Sequence, residues 1–227
     1  MLLTLQPLWN GSIGWGNTIM ALSNAEAVKQ LRELTGLGMM ECKKILAEFN
    51  GDFEKAKAEA TKRGLAKAGK LSGRAATEGV IETYIHFDGK LGVMVELNCN
   101  TDFVARNEDF RALAKGIALH IAALNPEVIR RDQLDQKLIA DIKQHHMSEI
   151  QGKPPEVAEK IAEGKLKTYY EERVLLDQIY VKDETKKKTV QQVIEEHIAK
   201  LGENVTISRF ARFKVGESAT AAAPAEE

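Results

Sequence analysis

A bias toward one sign of charge is missing from this 227-residue chain: 32 Lys and Arg stand against 33 Asp and Glu, and the net charge is −1. A protein whose main task is to bind nucleic acid carries a basic excess, so no direct nucleic-acid partner is expected. Cysteine is scarce as well. Cys42 and Cys99 stand far apart and in no ligand cluster, which excludes a disulfide scaffold and fits a reduced, cytoplasmic protein. No apolar run approaches the roughly 20 residues that cross a bilayer, so no membrane partner is expected. The first 28 residues hold no Lys or Arg, which removes both the positive start of a signal peptide and the Arg-rich character of a transit peptide.

Catalytic signatures are missing too. The chain shows no Ser/His/Asp order, no HExxH or CxxC, no paired-carboxylate context and no cofactor-binding glycine fingerprint. One near miss is Gly64 to Lys70, which has the spacing of a phosphate-binding loop. Leu71, however, stands where the Mg²⁺-binding hydroxyl belongs, and the segment follows a helix instead of a strand. His145 and His146 are adjacent on a helical segment, where side chains point about 100° apart and cannot chelate one ion. The expectation is a protein that acts through its surfaces: no enzyme, and no cofactor.

What is present is enough for a real core. Hydrophobic residues make up 44% of the sequence and charged residues of both signs 29%, which suits a domain plus a small satellite. Segment 1–22 carries Gly11, Gly14, Gly16 and two tryptophans without a helical or strand period, and reads as a disordered extension; Met20 lies just before the first folding signals. Ser23 and Glu26 have the spacing of a capping box, Val28, Leu31 and Leu34 follow at helical spacing, and Gly36 and Gly38 end the helix. A second helix begins near Met39, with Met39, Cys42, Leu46 and Phe49 on one stripe; because Met40 is adjacent, one of the two methionines is expected near the surface. Asn50-Gly51-Asp52 opens a third helix that reaches about Gly64. Residues 23–64 therefore predict a three-helix module, and 65–78, small and basic, a linker with partial helix.

Residues 79–216 predict a core of the α+β class. Ile81, Ile85 and Phe87 alternate on one strand, Leu91 to Cys99 on the next, and Asp88-Gly89 is a hairpin turn between them. Phe110, Leu113, Ile117, Ile121 and Leu124 form the stripe of a helix ended by Asn125-Pro126, with His120 at the stripe's edge. Residues 132–172 predict a protruding antiparallel helical hairpin turned at Gly152-Lys153-Pro154-Pro155. A short helix from Val190 to Leu201 follows, then a third strand with Val205, Ile207, Ala211, Phe213 and Val215 on one face, completing an antiparallel three-stranded sheet. The tail 217–227 reads as disordered.

Between the hairpin and the helix lies Asn98-Cys99-Asn100-Thr101-Asp102-Phe103-Val104-Ala105-Arg106-Asn107. A carboxylate beside a large ring at a strand exit is unusual, because ionised Asp resists burial without a partner. Two readings stand open. One is a strand-to-helix turn, in which Asp102 or Asn107 caps backbone N–H groups and Phe103 enters the core. The other is an exposed functional contact.

This decapeptide resembles the signature of the translation elongation factor Ts family, the guanine-nucleotide exchange factors of elongation factor Tu. Three further stretches resemble family motifs in the same order: Leu31 to Lys44, Ile117 to Ala122, and Gly152 to Pro155 with Glu159 to Gly164. The resemblance spans roughly residues 23–216, and the extension 1–22 has no counterpart in it. It implies a ubiquitin-associated-like fold for the three-helix module and a single core unit, as in the short form of the family, and hence a homodimer. It implies that Asp102 and Phe103, flanked by Thr101 and Val104, enter elongation factor Tu near its Mg²⁺ site, binding both its GDP-bound and nucleotide-free forms. It further implies that Met39, Met40, Lys29 and Arg32 dock the partner's nucleotide domain, and that His120 contacts it near the phosphates. The alternative of another class is a ubiquitin-like or peptide-binding adaptor with a dimerising core.

Overall fold

The computed structural model describes residues 24–149 and 154–217; the expected extension, the Ser23 cap, part of the Gly152–Pro155 turn and the tail beyond 217 lie outside these residues. Three helices come first: α1 (Asn24–Thr35), α2 (Met39–Glu48) and α3 (Phe53–Leu71). They close around Val28, Leu31, Leu37, Cys42, Ile45, Ala56 and Ala60. Asn50 and Gly51 take positive φ between α2 and α3, and the Asp52 carboxylate accepts the Lys55 N–H at 3.1 Å to start α3. Leu34, placed with Val28 and Leu31 by spacing, is exposed.

The sequence expectation for α3 ends about seven residues short. The helix runs on through the stretch read as a linker to Leu71, because Ala68 and Leu71 keep its helical spacing and enter the larger core. One continuous rod thus begins in the first hydrophobic cluster and ends in the second.

The second cluster is built on a three-stranded antiparallel sheet in the order β1-β2-β3, from β1 (Glu78–Ile85), β2 (Leu91–Cys99) and β3 (Val205–Lys214). The chain is of the α+β class, with eight α-helices among the described residues. Val93, Val95, Leu97 and Cys99 point to the inner face, where α5 (Glu108–Leu124) and α8 (Val190–Leu201) cover them with Phe110, Ile117, Ile121, Ile194 and Ile198. Period 2 then places Ile81 and Ile85 on the outer face, and Val80 and Tyr84 take the inner positions of β1.

On β3 the single alternating face divides. Glu96 pairs with Arg209 and Leu97 with Ile207, so Ser208 is an extra residue, a bulge, in the ladder. Val205 and Ile207 before it face inward, whereas Ala211, Phe213 and Val215 after it are exposed, with Phe210 taking the inner side. The outer face therefore carries Ile81, Ile85, Met94, Phe213 and Val215, all more than half exposed.

Between α5 and α8 the chain makes a helical hairpin of α6 (Gln136–Glu149) and α7 (Pro155–Arg173), with Ile139, Ala158 and Ala162 buried and Lys143 and Glu159 paired at 3.5 Å. Its base is tied to the core by the Arg173–Glu127 pair and by Arg131, whose guanidinium meets Asp177 at 2.7 and 2.8 Å and lies over the Tyr170 ring.

Candidate functional site

The strand exit is held from several directions. Strand pairing on both sides of β2 ends at Cys99, opposite Glu78 and Val205, so the next N–H groups need other acceptors. The Glu203 carboxylate provides them: Oε2 accepts the N–H of Asn100 at 3.2 Å and of Thr101 at 3.0 Å, and Oε1 accepts the Thr101 hydroxyl at 2.7 Å. Asn100 Oδ1 accepts the Asn204 N–H at 2.8 Å, and Asn204 Nδ2 donates to the Arg74 carbonyl at 2.6 Å. Beneath, the Cys99 thiol donates to the Thr101 carbonyl at 3.1 Å; burial pushes its pKa up, so it stays a protonated, inert group.

Thr101 caps a single helical turn, α4 (Asp102–Ala105), by accepting the Val104 N–H at 3.4 Å. Val104 and Ala105 are buried in the main core. Phe103, one residue earlier and about 100° around the turn, is 80% exposed, which excludes the reading in which its ring enters the core. Asp102 pairs with Arg106 at 2.8 Å, with both side chains largely in solvent, so this pair contributes little to stability. Asn107 accepts the Asp109 N–H at 2.8 Å and starts α5.

Of the residues that the sequence put forward, the structure gathers seven into two exposed groups. Asp102 and Phe103 share α4, and its cap, Thr101, is exposed but engaged by Glu203. Lys29 and Arg32 lie one turn apart on the exposed side of α1, with Met39 and Met40 in the first turn of α2. Both methionines are exposed, at 54% and 79%, where spacing had put Met39 on the inner stripe. At the first position of α2 it lies over the rim, beside a groove of about 620 Å³ between α1 and α2 that Ala25, Val28, Lys43 and Leu46 also line.

Two residues are elsewhere. Val104 is in the core, as the anchor of α4. His120 is fully buried, not at the edge of a stripe, because the segment after Asp177 folds over it. Its Nδ1 accepts the Val181 N–H at 3.1 Å, its Nε2 meets Gln178 Oε1 at 3.0 Å, and its ring stacks on Tyr180. In this conformation neither Val104 nor His120 offers surface to a partner. Sequence reasoning missed Glu203 and Gln178, since neither sits in a local pattern and each acts on a segment far away in the chain.

Among the described residues no group of three or more His, Cys, Asp or Glu side chains is arranged to hold a metal ion, and no helix is long and apolar enough to cross a membrane. A family model described as Elongation factor TS matches residues 65–217. Among curated proteins, Elongation factor Ts of Thermodesulfovibrio yellowstonii is 53% identical over 195 residues, covering 86% of this chain and 96% of that protein. Elongation factor Ts of Syntrophomonas wolfei is 51% identical over 195 residues, with 85% and 90% covered, and that of Thermosipho melanesiensis is 50% identical over 196 residues, with 86% and 99% covered.

Proposed function

The chain belongs to the elongation factor Ts family, and from that premise we propose that it is a guanine-nucleotide exchange factor, not an enzyme, that binds elongation factor Tu and speeds GDP release during translation elongation. The observation that carries the reading is the Phe103 ring, exposed on a helical turn whose two following residues are anchored in the core. Leaving such a ring in water is unfavourable by about 25 cal/mol for every Å² of apolar surface. An anchored, uncovered aromatic is the form of an interface hot spot.

Phe103 wedges between helices of the partner and shifts them, with Asp102 beside it; the displacement disturbs the partner's Mg²⁺ coordination and loosens the hold on the GDP β-phosphate. Thr101 shapes the turn and Val104 anchors it. Met39 and Met40, unbranched and adaptable, dock the partner's nucleotide domain together with Lys29 and Arg32. The thermodynamic requirement is that the factor binds nucleotide-free elongation factor Tu more tightly than the GDP-bound form; linkage then lowers GDP affinity by the same ratio. His120, sealed under Tyr180, has no part in this contact.

The outer sheet face supports a homodimer. Ile81, Ile85, Met94, Phe213 and Val215 form an apolar surface, and a second copy meeting it across a two-fold axis covers it with an identical patch. The reading of the whole is tested with elongation factor Tu loaded with fluorescent GDP. Substoichiometric amounts of this protein are expected to release the nucleotide with turnover. Release no faster than the spontaneous rate at a large excess of protein contradicts the proposal and favours the adaptor.

A further inference from the structure

We propose that Glu203 is a positioning residue for nucleotide exchange, holding the strand exit from which Phe103 is presented; this rests on the reading of Phe103 as the ring that acts on the partner. A four-residue helix has too few internal hydrogen bonds to hold itself, so the direction of α4 depends on its anchors. Val104 and Ala105 fix one side. Beside the Asn100–Asn204 and Cys99–Thr101 bonds, the constraint that reaches the cap itself is the Glu203 carboxylate, which takes the Asn100 and Thr101 N–H groups on one oxygen and the Thr101 hydroxyl on the other. By accepting the hydroxyl proton, Glu203 turns an oxygen lone pair of Thr101 toward the Val104 N–H and so sets the cap of α4.

The turn that carries Glu203 is itself held. Gly202, at φ 75°, ends α8; Lys200 pairs with Asp109 of α5 at 2.8 Å; and Asn204 is bonded on its backbone by Asn100 and through its side chain to Arg74. Removing the carboxylate leaves two N–H groups and one hydroxyl without their acceptor at the place where the chain must turn. The turn then loses its fixed direction, and the exposed ring gains conformations in which it lies back on the surface, as hydrophobic burial favours. A wedge that must be re-ordered before it acts slows the step in which it acts and leaves docking through α1 and α2 as it was.

The test compares full-length wild type with Glu203→Ala, Glu203→Gln, Phe103→Ala and the Glu203→Ala/Phe103→Ala double variant. Thermal melts are run beside release of fluorescent GDP from elongation factor Tu over a range of factor concentrations. Glu203→Ala is expected to lower the maximal release rate about tenfold while the half-saturating concentration stays within about twofold. Glu203→Gln keeps an oxygen for the two N–H groups and an amide that donates to the Thr101 hydroxyl, and is expected to recover most of the rate. In the Phe103→Ala background, Glu203→Ala is expected to add no further loss. Should the alanine variant melt below the assay temperature, Glu203→Asp, one methylene shorter, replaces it in the same comparison. An equal loss in both backgrounds overturns the proposal, as does a lowered melting midpoint with an unchanged maximal rate. A slow Phe103→Ala beside a fast Glu203→Ala overturns only the part given to Glu203, whereas a Phe103→Ala protein as fast as wild type overturns the reading of Phe103 itself.

Discussion

His120 shows how far a single residue departs from its place in a pattern. On a helical wheel it sits at the margin of the α5 stripe, and nothing local says that residues 178–181 will close over it. In the fold the Val181 N–H donates to Nδ1, so the ring is neutral with its proton on Nε2, given to Gln178, whose own amide donates to the Glu172 carbonyl at 2.8 Å. Burial lowers the pKa from 6.5 to about 4, against a smaller upward pull from Gln178. Protonation also forfeits the Val181 bond. The folded pKa lies below the unfolded one, so the stability this neutral ring contributes is full above pH 6.5 and is lost as pH falls toward 4, by up to about 3 kcal/mol. His197, whose pKa burial also lowers, acts in the same direction. The urea midpoint is expected to stay level from pH 8 to 7 and to drop below pH 6.5, with a shallower drop in His120→Phe; equal slopes in the two proteins contradict this assignment. Phe103 was legible in a different sense. The Asp-Phe pair at a strand exit stood out in the sequence, but the direction of the ring depends on Glu203, about 100 residues away, and no local signal reports it.

At the scale of elements, the helices and the hairpin were legible because their stop and start signals are local: Asn50-Gly51-Asp52, Asp88-Gly89, Asn107, Asn125 and Gly202 all stand where chain direction changes. Less legible was which way a strand faces. Alternation gives the period of β1 but not its inner side, and the bulge at Ser208, which sends Val205 inward and Phe213 outward, leaves no mark in the pattern. The full length of α3 was hidden by a small, basic composition that also suits a linker. Its Gly64 lies against the Thr35 carbonyl and Ala199 of α8, and Gly36, at φ 64°, approaches the Ala199–Lys200 backbone so closely that a Cβ there would overlap it. This seam joins the three-helix module to the core. Gly36→Ala is expected to cost roughly 2–4 kcal/mol in urea denaturation, through both strain and displacement of α8. Gly38→Ala, where a Cβ meets nothing within 4 Å, is expected to cost no more than about 1 kcal/mol, the loss of a favoured N-cap residue; equal costs at the two sites contradict the seam.

For the whole molecule, the outer sheet face and the α4 ring are separate exposed surfaces, and the proposed function gives them separate tasks, association and exchange. Phe213→Glu places a charge on the apolar face without touching the core, and sedimentation is expected to shift toward the monomer, with melting lowered only by the stabilisation that association supplies; an unchanged sedimentation coefficient contradicts a dimer through this face. The central claim, that a ring exposed in the free protein is the wedge of exchange, is tested most directly by Phe103→Ala, with thermal melts and GDP release from elongation factor Tu measured on the same samples. The melting midpoint is expected to hold within a degree or so, since an exposed ring adds little to stability, while release falls about tenfold or more, the equivalent of about 1.4 kcal/mol of differential binding. A loss of roughly 3–5 kcal/mol in stability, as for a core Phe, with activity falling only in proportion to the unfolded fraction, contradicts the wedge.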